Sequence, residues 1–530
     1  MPDSPLAHAR ARLLHHFGYE DFRPLQTRVI EALTRGQDVL AVLPTGAGKS
    51  ICFQVPAMLR PQPTIVISPL ISLMQDQVEA AVSRGIGAAS LNSTLSPALQ
   101  RERLEQFVDG KVRLLYTSPE RLGRLTSDLA ERHFRPGLLA VDEAHCISEW
   151  GPDFRPAYRT LRRLRARLGW PQVIALTGSA TPAVRRDVSL ALGLGRGNGL
   201  SVVLGSFDRR NLWFGVAPVR DERERLRALL AALTLQDALA IVYAPTRNLV
   251  EELARILGNA GFRAAPYHAG LSPGARREIL TRFLTDQLGV VVATCAFGMG
   301  IDKPNVRLVV HWTLPPTPEA YYQEAGRAGR DGGMARCLLL YRPGDASLPR
   351  RQLDVTFPPE RLAEEVWSGK TEATRIPDNL RTSLARLHRE LRPVSGKVDW
   401  EPVRRRRRLA EERIAVMERY ARDRRCRRAA LIGYFGEQLV RCAGCDVCSG
   451  TAVRPLPRPL DERRLTRLRT ALGHTRAPWG GCPLEPVTLR RLAHQPPHTE
   501  AELAEVEGVG KVIARRFGRT ILAALADEGR

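Results

Sequence analysis

The stretch Asp38-Val39-Leu40-Ala41-Val42-Leu43-Pro44-Thr45-Gly46-Ala47-Gly48-Lys49-Ser50 decides the fold of the first part of the chain. Its apolar half predicts a buried strand, and a helix is expected after Ser50. The glycines between them let backbone N–H groups curl around phosphates at the amino end of that helix. Lys49 would supply a charge to the β- and γ-phosphates, and the Ser50 hydroxyl would bind Mg²⁺. We therefore expect a nucleotide such as ATP to be bound by Thr45, Gly46, Ala47, Gly48, Lys49 and Ser50.

This phosphate loop lacks the leading glycine of the GxxxxGKS pattern, since Ala41 or Leu43 stands in its place. An ordinary strand–turn–helix is the alternative interpretation. However, lysine occurs at only six positions in the chain, and one of them is the position that requires a slim ammonium group. This favours nucleotide binding.

Similar apolar runs ending in polar residues continue on both sides of the loop. They occur at 64–70, 113–119, 138–144 and 173–179, and again at 238–246, 263–270, 289–298 and 306–312. Such runs, alternating with amphipathic stretches, predict βα units around a parallel sheet, with ligands bound beyond the carboxyl ends of the strands. The two blocks predict two tandem α/β domains with a cleft between them, followed by helical segments.

The composition of the 530-residue chain is that of a folded protein with several domains. Neither a secretory signal nor an apolar run long enough to span a membrane is seen, so we expect a cytoplasmic protein with no membrane partner. Basic residues outnumber acidic ones by 80 to 56, giving a formal charge of +24. A GC-rich genome would explain arginine in place of lysine, but the excess itself favours a polyanionic partner, nucleic acid.

Two further motifs fit hydrolysis at the phosphate loop. Asp142 and Glu143 follow the apolar run at 138–141, where Asp142 can hold Mg²⁺ and Glu143 can orient or deprotonate water. In the second block, Arg327 and Arg330 lie one helical turn apart and could reach across the cleft to the γ-phosphate as arginine fingers. Without the phosphate loop, a solvated turn and solvated helix charges would be the default interpretations.

The nine cysteines fall into two groups. Cys52, Cys146, Cys295, Cys337 and Cys482 are scattered among apolar neighbours, which indicates buried thiols. Cys426, Cys442, Cys445 and Cys448 are clustered, and two CxxC spacings that share Cys445 predict a structural Zn²⁺ site with four thiolates; free thiols are the alternative.

Taken together, these motifs resemble the RecQ family of superfamily 2 helicases. The segment 17–26 resembles the family's adenine-recognition segment, which implies ATP contacts from Tyr19, Arg23 and Gln26. Residues 68–78 resemble the family's strand-gripping motif, and residues 296–304 resemble its second-domain motif that touches both DNA and nucleotide. Residues 146–156 resemble the aromatic-rich loop that couples DNA binding to hydrolysis, which implies DNA contacts from Trp150, Phe154 and Arg155.

The resemblance implies an ATP-dependent 3′→5′ DNA helicase of recombination and repair that acts as a monomer on single-stranded, fork or junction DNA. Its expected domains are two RecA-like domains (1–205 and 206–345), a helical insertion (346–402), a zinc-binding subdomain (403–450), a Pro-rich linker (451–460) and an HRDC-like helical domain (461–530). In this chain, about ten linker residues stand where the family has a winged-helix domain.

Several departures leave alternatives open. Glu149 and Pro152 replace the usual glutamine and histidine of the aromatic-rich loop, and Ser179-Ala180-Thr181 is a triplet typical of RNA helicases. The rivals are therefore an RNA helicase and a zinc-dependent DNA-binding scaffold with a vestigial ATPase. In the insertion, helices at 358–367 and 376–391 and an extended segment at 398–403, followed by Arg404–Arg408, predict either a DNA-contacting module or a brace packed on the second α/β domain.

Overall fold

The computed structural model describes residues 4–526, apart from 45, 70, 93–94, 152–153, 237–238, 299–300, 302, 392–397, 450–461, 474–483, 485–487, 490–491, 494–495 and 507–508. Thr45, Pro152, Cys482 and the Pro-rich linker at 451–460 therefore lie outside the described residues. No described helix is both long and apolar enough to cross a membrane.

The first α/β domain is built on a seven-stranded parallel sheet with the order β3-β4-β2-β5-β6-β1-β7. Its strands are β1 (Asp38–Val42), β2 (Thr64–Ile67), β3 (Ala88–Leu91), β4 (Leu114–Thr117), β5 (Leu138–Val141), β6 (Gln172–Thr177) and β7 (Leu200–Leu204). Its helices are α1 (Pro5–Phe17), α2 (Pro24–Thr34), α3 (Ile51–Leu59), α4 (Ile71–Val82), α5 (Pro97–Val108), α6 (Pro119–Glu131), α7 (Leu161–Arg167) and α8 (Pro182–Leu192). The central strands are buried on both faces, as a sheet covered by helices requires.

The second α/β domain has a six-stranded parallel sheet with the order β10-β11-β9-β12-β13-β8. Its strands are β8 (Leu212–Pro218), β9 (Ala240–Tyr243), β10 (Ala264–Tyr267), β11 (Val290–Ala293), β12 (Leu308–His311) and β13 (Ala335–Tyr341). Its helices are α9 (Glu222–Gln236), α10 (Arg247–Asn259), α11 (Pro273–Leu284) and α12 (Pro318–Ala325). The prediction of two tandem parallel-sheet domains is confirmed.

The remaining described elements are helical. They are α13 (Ser347–Thr356), α14 (Glu360–Trp367), α15 (Asp378–Leu391), α16 (Glu401–Arg422), α17 (Arg427–Tyr434), α18 (Glu462–Gly473), α19 (Glu500–Glu505) and α20 (Gly510–Leu525). The last three helices share a core of their own, made mainly of leucine side chains. The predicted helices in the insertion are present, but the extended segment at 398–403 is wrong from residue 401 onward, because α16 begins there.

The insertion packs on α16 rather than mainly on the second α/β domain. Leu384 and Leu387 of α15 join Trp400 and Val403 in a separate apolar cluster, to which Leu362 also contributes. The ring of Trp400 stacks on that of Trp367 at 5.4 Å, and its indole N–H donates to Glu364 Oε1 at 2.9 Å. The structure therefore shows packing of the insertion on the start of α16, and the DNA-contacting module and the brace both stay predictions.

Candidate functional site

The phosphate loop joins β1 to α3, as the sequence predicts. Gly46 and Gly48 have φ angles of +82° and +73°, a conformation that glycine adopts without strain. The Gln26 amide donates to the carbonyl oxygens of Ala47 and Gly48 at 3.0 and 3.1 Å, and Arg23 donates to that of Gly46 at 2.5 Å. Two of the three predicted adenine-contacting residues thus support the loop.

The third, Tyr19, is 57% exposed, so its ring is available to solvent. Gln26, by contrast, is buried. Recognition of adenine by Gln26 would require its amide to leave the loop carbonyls.

The carboxylates of Asp142 and Glu143 lie at the carboxyl end of β5, facing the phosphate loop. Lys49 Nζ is 3.9 Å from Glu143 Oε1, and His145 Nδ1 is 3.2 Å from Glu143 Oε2. Asp142 accepts hydrogen bonds from Gln77 Nε2 at 3.2 Å and from the Glu143 N–H at 3.0 Å. The sequence-predicted catalytic residues of the first domain are therefore brought together.

The two carboxyl groups have pKa values displaced in opposite directions. Burial raises the pKa of Asp142 to about 6, and the neighbouring Glu143 carboxylate adds to the increase. Burial alone would also raise the pKa of Glu143, but Lys49, His145 and Arg327 outweigh it and hold that pKa at about 2. Glu143 is therefore ionised at neutral pH, whereas burial and the Glu143 carboxylate disfavour the charged form of Asp142.

The two predicted arginine fingers reach this site from the second domain, just beyond α12. The Arg330 side chain lies against Gly46, where an added Cβ would be 3.7 Å from Arg330 Cγ. Arg330 also donates to the carbonyl oxygen of Ile301 at 2.7 Å. Arg327 is buried and close enough to Glu143 to lower its pKa. Both guanidinium groups are therefore near the place where a γ-phosphate would lie.

A polar chain that the sequence did not predict connects Glu143 to the second domain. His145 Nδ1 is 2.9 Å from Thr177 Oγ1, which in turn donates to the carbonyl oxygen of Ser179. Gln323 of α12 then donates to Ser179 Oγ at 2.9 Å. The Ser179-Ala180-Thr181 triplet, which is typical of RNA helicases, thus links the two domains. In the sequence, only the position of Gln323, four residues before Arg327, indicates that Gln323 lies near the ATP site.

The aromatic-rich loop follows Glu143 and reaches α16. Trp150 is 45% exposed, whereas the Phe154 ring lies under the guanidinium groups of Arg159 at 5.8 Å and Arg406 at 5.3 Å. Arg155 donates to the carbonyl oxygen of Pro69 at 2.7 Å and so touches the predicted strand-gripping motif. Of the two aromatic side chains predicted to stack on bases, only Trp150 is largely open.

Glu149, the unusual residue of this loop, forms an ion pair with α16. Its carboxylate is 2.5 Å from Arg405 Nη2 and 3.9 Å from Arg159 Nη2. The sequence marks Glu149 as a departure from the family pattern, but its partner lies 256 positions away and no local pattern indicates it.

Each of the five consecutive arginines has a partner within the chain. The acceptors are Glu360 for Arg404, Glu149 for Arg405, Glu390 for Arg406, Asp354 and Glu411 for Arg407, and Glu401 for Arg408. The run therefore ties α16 to the insertion and to the aromatic-rich loop.

The four clustered cysteines meet the geometry of a metal site. The sulfur atoms of Cys426, Cys442, Cys445 and Cys448 all lie within 4.8 Å of one another. Tetrahedral Zn²⁺ with Zn–S bonds of about 2.3 Å separates its sulfurs by about 3.8 Å, so the four thiolates fit one ion. Backbone N–H groups of Ala429 and Cys448 point at two of the sulfurs, as expected around thiolates. The site is closed and would be structural.

The zinc-binding region is fixed to β8 and to the segment before it. Asp446 accepts from the Val216 N–H at 3.0 Å, and the fully buried Arg428 pairs with Asp208 at 2.6 Å. Phe435 stacks on Phe207 at 4.5 Å. Cys52, Cys146 and Cys337 are buried as expected, but Cys295 is exposed, because it lies in the turn that follows β11 and not within the strand.

Four family models match the chain. They are described as DEAD/DEAH box helicase (residues 23–188), helicase conserved C-terminal domain (221–332), RecQ zinc-binding (389–449) and HRDC domain (485–525). The zinc-binding match starts before α16 and includes all four clustered cysteines. Residues 450–484 lie between the last two matches.

Curated proteins are similar to the chain over much of its length. The chain is 42% identical over 363 residues to "ATP-dependent DNA helicase RecQ" of Bacillus subtilis, covering 68% of this chain and 61% of the relative. It is 36% identical to the protein of the same name from Pasteurella multocida, over 84% of this chain and 63% of the relative. "Probable ATP-dependent DNA helicase RecS" of Bacillus subtilis is 41% identical over 63% of this chain and 67% of its own length. The chain thus spans somewhat over three fifths of the length of these two proteins named RecQ.

Solved structures with low sequence identity share the fold. The DUF1998 helicase MrfA bound to DNA superposes with a TM-score of 0.53 at 20% identity, over 66% of this chain and 53% of that one. The DEAD-box helicase Mss116 bound to ssRNA gives 0.51 at 18% identity, over 78% and 90%. At these identities the likeness concerns the fold alone.

Proposed function

The chain belongs to the RecQ family of superfamily 2 helicases, and from that premise we propose that it is an ATP-dependent DNA helicase. Hydrolysis in the cleft would drive 3′→5′ movement along single-stranded DNA and the separation of duplexes in recombination and repair. The observation that carries the proposal is the convergence of Lys49, Glu143, Arg327 and Arg330 from two domains on one phosphate loop. A cytoplasmic location and a monomeric state belong to the same proposal.

The residues divide the work of hydrolysis. Bound Mg²⁺, held by Ser50 and Asp142, would neutralise charge on the β- and γ-phosphates. Lys49 is drawn toward Glu143 at 3.9 Å, and phosphates would compete for its ammonium group. When phosphates draw the Lys49 ammonium group away from Glu143, the pKa of Glu143 rises from its low value. The carboxylate then becomes a better base toward water.

Arg327 and Arg330 would stabilise charge on the transferring phosphoryl group only while the two domains are closed. The hydrogen bond from Gln323 to Ser179 joins the two domains in this same closed arrangement. When the two domains open after hydrolysis, both arginines would move away from the phosphates. The two DNA-gripping domains would therefore approach and separate once for each ATP hydrolysed.

Steady-state ATP hydrolysis tests the proposal, with single-stranded DNA or RNA of the same sequence as the stimulating strand. We expect hydrolysis to rise with DNA, with Lys49→Ala abolishing it. Equal stimulation by RNA would favour the RNA-helicase alternative, and no hydrolysis by the wild-type chain would favour the DNA-binding scaffold. Strand separation should then be compared on forks, 3′ overhangs and four-way junctions.

A further inference from the structure

An exposed tryptophan lies at the edge of the first domain that faces away from the phosphate loop. Trp170 precedes β6, and the neighbouring turns at 132–137 and 193–199 precede β5 and β7. The phosphate loop follows the carboxyl end of β1, so these turns lie at the opposite, amino end of the same parallel sheet. Nothing in the proposed ATP or DNA contacts uses this edge.

The backbone holds Trp170 in an unfavourable conformation. Its φ is +57°, and among the described residues only three other non-glycine residues have a positive φ. One of these is Glu143 of the ATP site, and another is His133, in the turn that precedes β5. A bulky residue persists in this region only where its surroundings fix it, and such residues cluster at functional sites.

A buried ion pair between Arg165 and Asp38 fixes the backbone around Trp170. The Asp38 carboxylate receives two hydrogen bonds from Arg165, both at 2.9 Å, and one each from the N–H groups of Val173 and Gly195, also at 2.9 Å. Arg165 also donates to the carbonyl oxygens of Pro171 and Gly193. The turns on either side of Trp170 are thereby tied to one rigid centre.

Three exposed arginines lie on the Trp170 ring or against the glycines next to it. The guanidinium of Arg196 lies 4.7 Å from the ring centroid. Arg135 packs on Gly169, with Nε 3.0 Å from where a Cβ would stand, and Arg162 packs similarly on Gly193 beside the Trp170 ring. No described carboxylate is within ion-pair distance of these three guanidinium groups, in contrast to the five arginines of α16.

We propose that this Trp170 surface, formed by Arg135, Arg162, Trp170 and Arg196, is a second binding site for single-stranded DNA. Unpaired guanidinium groups would bind phosphates, and an aromatic ring with a guanidinium plane on it is a platform on which an unpaired base can stack. The site would hold a strand that has left the cleft between the two domains. It lies outside the residues to which the proposed helicase activity is assigned, and it would retain DNA whether or not ATP is hydrolysed.

Binding of long and short oligonucleotides tests this assignment. Replacing Arg135, Arg162 and Arg196 together with serine should lower the affinity for a long single strand about tenfold. It should also reduce the log–log salt slope by about 2, since each single-strand phosphate contact contributes about 0.7. Binding of an oligonucleotide too short to extend beyond the cleft, and the ATP hydrolysis that it stimulates, should stay unchanged.

The matched control removes three exposed arginines from the second domain, Arg227, Arg255 and Arg263, each replaced with serine. A loss of affinity equal to that of the control would overturn the proposal. Trp170→Ala should weaken long-strand binding about fivefold or more, whereas Trp170→Phe should restore it. Equal melting temperatures show that these variants are folded.

A polyglutamate peptide distinguishes a nucleic-acid site from a general anion site. If the peptide displaces the long strand from the wild type as well as unlabelled DNA does, the assignment to DNA is wrong. Failure of the helicase proposal would look different, because hydrolysis stimulated by the short oligonucleotide would then be absent from every variant.

Discussion

At the scale of single residues, Glu143 shows how local strain and electrostatics prepare a catalytic group. The residue has φ +45° and ψ +49°, which directs its carboxylate from the end of β5 toward Lys49. Lys49, His145 and Arg327 keep it ionised although its side chain is largely buried. Because the Glu143 carboxylate is already ionised, it can accept a proton from water directly.

Glu143→Gln should keep ATP binding and lose DNA-stimulated hydrolysis by a factor of about 10² or more, because the amide cannot accept the proton of water. Single-turnover hydrolysis and nucleotide affinity should be measured together. Glu120→Gln, an exposed change on α6, is the control. Turnover like that of the wild type in Glu143→Gln would remove this residue from the role of base.

Residue identity at the phosphate loop, at Asp142 and Glu143, at the arginines and at the cysteines could be predicted from sequence, because each is a short motif with its own chemistry. Contacts between distant motifs could not. The attachment of Gln26 to the loop carbonyls and the bond from Gln323 to Ser179 depend on how α2 and α12 are placed, and no local pattern encodes that placement.

At the scale of elements, the strands that sequence reasoning missed are mostly at the edges of the two sheets. β3, β7 and β8 are edge strands, and β7 has only one fully buried residue. β7 lacks the continuous buried run of the central strands, because an edge strand is covered on fewer sides. β13 is central and was also missed, because its apolar run directly follows the arginine motif of the second domain.

The Arg404–Arg408 run belongs to a region for which the sequence predicts a DNA-contacting module or a brace, and each of its arginines forms an ion pair within the chain. Replacing Arg404, Arg406 and Arg407 with serine should lower the melting temperature, because buried or half-buried carboxylates such as Glu390 lose their partners. The salt dependence of DNA affinity should stay nearly constant. A slope reduced by about 0.7 per arginine without a change in melting temperature would restore the DNA-contact interpretation.

The pair Glu149–Arg405 should hold the aromatic-rich loop on α16 in the absence of DNA. A half-exposed pair of this kind contributes up to about 1 kcal/mol, so Glu149→Gln should raise DNA-independent hydrolysis by no more than about fivefold. Stimulation by DNA should fall correspondingly. Glu401→Gln breaks a pair confined to α16 and is the control; identical behaviour of the two variants would contradict a role for Glu149.

At the scale of the whole molecule, the zinc-binding region completes the second α/β domain. The backbone of Cys445 pairs with that of Phe214 on β8 in an isolated β-bridge. Arg428 forms an ion pair with Asp208, in the segment between the two sheets. The metal therefore stabilises a contact between domains as well as its own loop, since metal binding in so small a region is folding energy.

Cys445→Ser should consequently lose zinc and destabilise the rest of the chain. We expect one zinc per wild-type molecule by elemental analysis, less in the variant, and poor expression or aggregation of the variant. Cys337→Ser, a buried cysteine outside the cluster, controls for loss of a thiol. Fully active wild-type protein without zinc would remove the site.

The insertion offers the sharpest test of how the molecule is coupled. Because its apolar cluster supports α16, and α16 holds the aromatic-rich loop, damage to the cluster should affect hydrolysis and strand separation alike. Trp400→Ala removes a side chain that is 6% exposed and should cost about 3–5 kcal/mol of stability, lowering the melting temperature and both activities in parallel.

A duplex-gripping module would behave differently: Arg381→Ser with Arg389→Ser, both on the exposed face of α15, would then reduce strand separation while hydrolysis stayed constant. We expect that pair of substitutions to leave both activities unchanged, because α15 then acts through its buried leucines and not through its exposed arginines.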